Sequence, residues 1–168
     1  MPFMNLNGPI LANTVYRDNK LVAKDVEFTL PEVTAMLAEV EANGPMSFPV
    51  WARVEDMTAE IVKIGLDKGF RRMITPNLKP FEFRFPQRIM DENGKQKTVP
   101  CKAFLKCRAN AIPGISVVPG EATSNTIPVS VTRYQLFVDN VEYLLIDKIA
   151  GIVRINGEDY TGVTNGYL

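Results

Sequence analysis

The chain contains no histidine. The commonest general base near neutral pH and the commonest metal ligand are therefore missing. Ser-His and Cys-His nucleophile arrangements go with them, and only Lys- or carboxylate-based chemistry stays open. The two cysteines, Cys101 and Cys107, fall on one apparent strand. Their even separation puts both thiols on one face, and six residues at about 3.3 Å each set them roughly 20 Å apart. A disulfide needs Cα atoms within ~7 Å, so the pair cannot bridge while the strand is extended. Two readings stay open: small buried apolar side chains, or a bond to a neighbouring subunit where an assembled particle meets an oxidising medium. No catalytic, cofactor-binding or metal-ligating set is assigned from these residues.

The elements that would carry any function are strands. Residues 99–111 place Val99, Cys101, Ala103, Leu105, Cys107, Ala109 and Ala111 on every odd position. Lys102, Phe104, Lys106 and Arg108 lie between them, so the period is two, one face small and apolar and the other basic. Upstream, Phe81, Phe83 and Phe85 alternate with Glu82 and Arg84, and a turn is expected at Asp91-Glu92-Asn93-Gly94, since Asn-Gly is a strong hairpin signal. Downstream, 126–157 reads as a long strand, a tight turn at Asp139-Asn140, a second strand and a close return. Its phase slips near Arg133: Ile127, Val129 and Val131 are odd, Tyr134, Leu136 and Val138 even, which predicts a bulge.

In the N-terminal half, 13–30 reads as a hairpin turning at Asp18-Asn19-Lys20. In its second arm, Val26, Phe28 and Leu30 alternate with Asp25, Glu27 and Thr29, and Pro31 ends it. Residues 31–40 lean to strand. Residues 41–54 read as a long loop that holds Met46, Phe48, Val50 and Trp51, so something should cover it: the chain's own core, or a neighbouring subunit. Residues 56–65 read as a strand and 66–73 as the one short helix, weakened by Gly69.

With 168 residues the expectation is a single domain spanning 1–168. Nineteen basic and nineteen acidic residues cancel, which argues against a dedicated nucleic-acid binder and leaves little long-range repulsion against self-association. No apolar run approaches the ~20 residues that span a bilayer. The opening MPFMNLNGPILANTV has no basic and then sustained apolar region of a signal peptide, so synthesis and folding in a cytoplasm are expected.

The block FVDNVEYLLIDKIAGIVRING resembles the C-terminal signature of major tail tube proteins of contractile-tailed bacteriophages and R-type bacteriocins. Tyr134, Leu136, Val138, Asp139, Glu142, Ile146, Asp147, Gly151, Arg154, Asn156, Gly157 and Asp159 match that layout, and VYRDNKLVAKDVEFTLPEV is similar to the family's opening hairpin. Asn43-Gly44-Pro45-Met46 departs from the family's Gly-rich loop.

The resemblance implies a mainly β protomer, an antiparallel sandwich or barrel with one short helix. Six such protomers would form a ring, and long hairpins (79–90, 98–110, 126–139 and 141–147) would make a shared inner β-barrel. Strands ~4.8 Å apart and tilted ~40° would close such a barrel at roughly 48 Å across, leaving roughly 35 Å inside. Stacked rings would form the hollow tube of a phage tail, a structure that does no chemistry and is not an enzyme, passing double-stranded DNA without specific binding. The implied partners are copies of the chain, a tail sheath protein, and tape measure, baseplate and tail terminator proteins. The implied location is the virion, after assembly in the host cytoplasm.

Ring stacking needs a heterologous interface, which is assigned to Gly44, Met46, Phe48, Trp51, Asn93 and Gly94, with Trp51 either an interface anchor or core. The segment 66–73, with Lys68, Arg71 and Arg72, either meets the sheath or caps the fold. The basic face of Lys102, Lys106 and Arg108 is either a solvated surface or needs acidic neighbours, because a continuous basic lining would hold DNA. Two rivals stand: the tube of an R-type bacteriocin or a type VI secretion-like system, and a monomeric β-barrel binding module or small enzyme.

Overall fold

The computed structural model describes residues 5–24 and 26–160. Asp25, one polar position of the alternating arm, and the first four residues of the opening segment lie outside them. The described chain runs β1 (Leu6–Ile10), β2 (Thr14–Arg17), β3 (Lys20–Lys24), β4 (Glu27–Thr29), β5 (Ala35–Glu41), β6 (Pro45–Val54) and β7 (Met57–Ile64). The helix α1 (Lys68–Met73) follows, then β8 (Lys79–Arg84), β9 (Gln87–Met90), β10 (Gln96–Val99), β11 (Cys101–Ala109), β12 (Ser124–Val138), β13 (Val141–Asp147), β14 (Ile152–Ile155) and β15 (Glu158–Asp159).

The spine is β12, fifteen residues long. On one side it pairs with β11. On the other, its first half pairs with β7 and its second half with β13. The change occurs at a bulge: Lys106 faces Arg133 and Cys107 faces Val131, so Thr132 is the extra residue. Its hydroxyl donates to the Lys106 carbonyl (3.3 Å) and its own carbonyl accepts from Lys148 N–H (2.9 Å). The phase slip in the sequence is this bulge, and it keeps Ile127, Val129, Val131 and then Tyr134 facing inward.

Splitting β12 between two partners makes the two layers. One is the path β15-β14-β13-β12-β11-β8-β2-β3; the other is β7 with β4 on its far edge. Between them pack Met57, Ala59 and Ile61 of β7, Phe81 and Phe83 of β8, and Ala103, Leu105 and Cys107 of β11. The Phe28 ring of β4 lies 4.7 Å from that of Phe83, centroid to centroid, which fixes β4 over β8. The helix covers one end, burying Phe70 and Met73. Asp67 caps it, its carboxylate accepting from Phe70 N–H at 3.0 Å. Gly69, which weakens a helix in isolation, is needed here: a Cβ on it would sit 2.5 Å from the Val22 carbonyl oxygen of β3.

The expected barrel is not found. No sheet among the described residues closes on itself; the ten-stranded sheet is open, with β15 and β3 at the ends of its main path. The long strands expected over 79–90 and 98–110 are each divided by a proline, which cannot donate to a ladder. After Pro86 the chain leaves for a separate three-stranded sheet, β1-β9-β10, and it returns through Pro100 into β11. The mainly β content, the sandwich-like layering and the single short helix among the described residues stand.

A second correction concerns 41–54. It is not a loop: β5 and β6 form a two-stranded sheet of their own, turning at Asn43 and Gly44, whose φ angles are +57° and +114°.

Candidate assembly interface

The β5–β6 ribbon stands apart from both layers beyond its base, where Met36, Ala52, Arg53 and Val54 border a pocket shared with Ile146, Lys148 and Val153. Its register pairs Met36 with Val50, Ala38 with Phe48 and Val40 with Met46. Directly paired residues share a face, so one side of the ribbon is wholly apolar. The other carries Leu37, Glu39, Glu41, Pro45, Ser47 and Pro49. On the apolar side Met36, Val40, Met46 and Phe48 are between 42% and 52% exposed, unusual for side chains of this size aligned on one surface.

Of the residues singled out in the sequence, Gly44, Met46 and Phe48 gather on this ribbon and Trp51 lies half-buried near its base. Asn93 and Gly94 are elsewhere, at the tip of the β9–β10 hairpin, in a different sheet. There the Asp91 carboxylate accepts from Asn93 N–H (3.0 Å) and Lys95 N–H (2.8 Å). Met36 and Val40 complete the apolar face and were missed, although Met36, Ala38 and Val40 do alternate. A further exposed apolar run, Ile112, Ile115, Val117 and Val118, precedes β12 without any periodic signal.

The signature residues hold the C-terminal strands together. Tyr134 is buried, and burial pushes its phenol up to about 12. Leu136 packs against the core, and Val138 pairs with Val141 beside the turn. Asp139 and Asn140 take φ of +52° and +63°, and Asn156 and Gly157 take +53° and +80°, so each pair makes the tight turn its sequence suggests. Glu142 receives Arg154 Nε at 2.6 Å and Gln135 Nε2 at 2.9 Å. The Arg154 bond is the main cause holding the Glu142 carboxyl below its ordinary range. Asp147 accepts from the N–H groups of Ile149 and Ala150, fixing the β13–β14 turn.

The outward face of the large sheet carries Lys102, Lys106 and Arg108, and the expected acidic neighbours are on it. Glu82 pairs with Arg84 at 2.7 Å, Glu142 with Arg154, and Asp147 with Arg133 at 3.7 Å. The face is mixed in sign. Both cysteines are free and buried on the opposite face, and burial raises the Cys107 thiol to about 12. Among the described residues no group of three or more Cys, Asp or Glu side chains gathers to hold a metal, and no helix is long and apolar enough to cross a membrane.

The family model for phage tail tube protein FII matches residues 10–163. The chain belongs to this tail tube family. The fold is also similar to a chain of the PVC sheath-tube complex of an extracellular contractile injection system, solved by cryo-EM in its extended state. The TM-score is 0.51 at 9% identity, over 77% of this chain and 90% of that one. No curated protein matches. The chain is thus a structural tube protein.

Proposed function

We propose that copies of this chain form hexameric rings that stack into the hollow inner tube of a contractile injection apparatus. One observation carries the reading: in a tail tube chain, a projecting ribbon presents an apolar face left about half exposed by the described residues. Burying the exposed half of each Met, Val or Phe on it yields about 1 kcal/mol. A repeated ring-to-ring contact of this heterologous kind builds an open filament and not a closed pair. Gly44, Met46, Phe48 and Trp51 belong to that contact, and the Asn93-Gly94 tip is a second point of it. A sheath encloses the tube, and tape measure, baseplate and terminator proteins meet its ends.

The likeness to an extracellular injection system favours a bacteriocin-like or secretion-like tube as the setting. The family description favours a phage tail passing DNA as the second reading. The mixed charge of the sheet's outward face suits either, since it offers no continuous basic track for phosphate. Sedimentation velocity and negative-stain imaging of the purified chain test the assembly: rings or tubes of uniform width are expected. A species that stays monomeric at every concentration overturns it. Particles purified from the producing cell, with or without packaged DNA, decide between the two settings.

A further inference from the structure

The chain is electrically neutral overall, yet five cations crowd one groove. Arg17 and Lys20 come from the β2–β3 turn, and Lys68, Arg71 and Arg72 from α1; they line a groove of about 490 Å³ together with Asp18 and Thr75. Among the described lining residues the only carboxylate, Asp18, lies 3.8 Å from Arg17. Among the described residues no ion pair involves Lys20, Lys68, Arg71 or Arg72. The nearest helix acid, Asp67, is taken by its capping bond and by Lys63 at 3.0 Å.

A structural role accounts for part of this. Arg71 and Arg72 sit in the last turn of α1, where cations suit the helix dipole. Arg17 donates to the Arg72 carbonyl at 3.4 Å, tying the turn to the helix. Neither reason covers Lys20 and Lys68, which add like charge and make no ion pair among the described residues. The walls are also fixed in place, by Gly69 against Val22 and by the buried Phe70 and Met73.

We propose that this groove is a docking site for an acidic peptide segment of a protein that encloses the tube. Three of the five cations are arginines, whose forked donors match carboxylates in pairs. The backbone of both walls is held in place, so binding orders side chains and not main chain. In a molecule of zero net charge, a concentrated positive region also orients an approaching acidic partner. A compact pocket containing its own carboxylate suits a short acidic segment better than a duplex, which needs an extended basic track. The groove's preference for carboxylates stands by itself; that the segment belongs to an enclosing protein rests on the tube reading.

The test uses the full chain and a fluorescein-labelled peptide of about twelve residues alternating Glu and Ala, with anisotropy read at about 50 mM and about 300 mM salt. The peptide is expected to bind at low salt and to weaken at high salt. The triple variant Lys20→Glu, Lys68→Glu, Arg71→Glu is expected to lose at least about tenfold in affinity. Lys102→Glu with Lys106→Glu, on the sheet's outward face, leaves binding unchanged. If the triple variant does not fold, Lys20→Gln with Lys68→Gln serves, with a smaller loss expected. Equal binding by the groove variants overturns the proposal, and so does tighter binding of a DNA duplex of matched charge. If tubes form, the peptide must bind them as well as the free chain; binding to the free chain alone places the groove inside the assembly and overturns docking by an enclosing protein. Failure of the wild-type chain to assemble counts against the tube reading, and the peptide result still decides the groove.

Discussion

The Arg154 guanidinium grips both oxygens of Glu142, Nε to Oε1 at 2.6 Å and a terminal nitrogen to Oε2 at 3.2 Å, and so clamps β14 to β13. Both side chains are partly exposed, 40% and 23%, so solvent screening limits the clamp to about 0.5–1.5 kcal/mol. Arg154→Ala is expected to lower stability by that amount in urea unfolding. Because the folded-state carboxyl titrates below its ordinary value of 4.5, the clamp is fully present above that pH and is lost as pH falls through the lowered value. Thermal midpoints measured from pH 6 downward should therefore fall less steeply below 4.5 in Arg154→Ala than in the wild type.

Phe48→Glu places a charge in the middle of the ribbon's apolar face, on a side chain 52% exposed in the single chain. The fold should tolerate it, with circular dichroism and unfolding midpoint nearly unchanged, because no core contact is lost. Assembly should fail, since an unpaired charge at a desolvated contact costs several kcal/mol. Normal tubes from this variant would remove the ribbon from the stacking contact.

Gly69→Ala sets two effects against each other. Alanine favours helix by about 1 kcal/mol, but its Cβ would meet the Val22 carbonyl oxygen at 2.5 Å, and backbone yields little. The clash should win, with a net destabilisation of about 1–2 kcal/mol in urea unfolding.

Cys101 and Cys107 are 4% and 1% exposed, and burial raises both thiols. Neither should react with a thiol reagent at pH 8 in the native chain or in assembled material, and both should react once guanidinium unfolds it. Covalent dimers in non-reducing gels of native protein would contradict this and revive a bond between subunits.

Much of the fold was legible in the chain because short-range chemistry controls it. The unbroken alternation from Val99 to Ala109, the turns at Asp18-Asn19 and Asp139-Asn140, and the phase slip at Arg133 all have local causes, and all reappear as strands, positive φ angles and the Thr132 bulge. The errors came where a local signal had two structural outcomes. Pro45 and Pro49 suggested a loop, yet a two-stranded ribbon consists only of edge strands, where proline is tolerated. Pro86 and Pro100 do not interrupt the alternation, so they gave no warning that one stretch would serve two sheets. Strand β1 was missed because Leu6–Ile10 contains Gly8 and Pro9 and is ordered by pairing with a strand eighty residues away. The basic groove joins two segments fifty residues apart, and only the folded chain shows that their charges converge.

The divided allegiance of β12 has a mechanical meaning. One continuous polypeptide segment is stitched at its start to β7 and at its end to β13, so a push on the C-terminal hairpin passes along covalent bonds into the opposite layer. The layers cannot slide past each other without tearing a ladder from this shared strut. A conduit driven through a barrier under compression would gain from that resistance to shear.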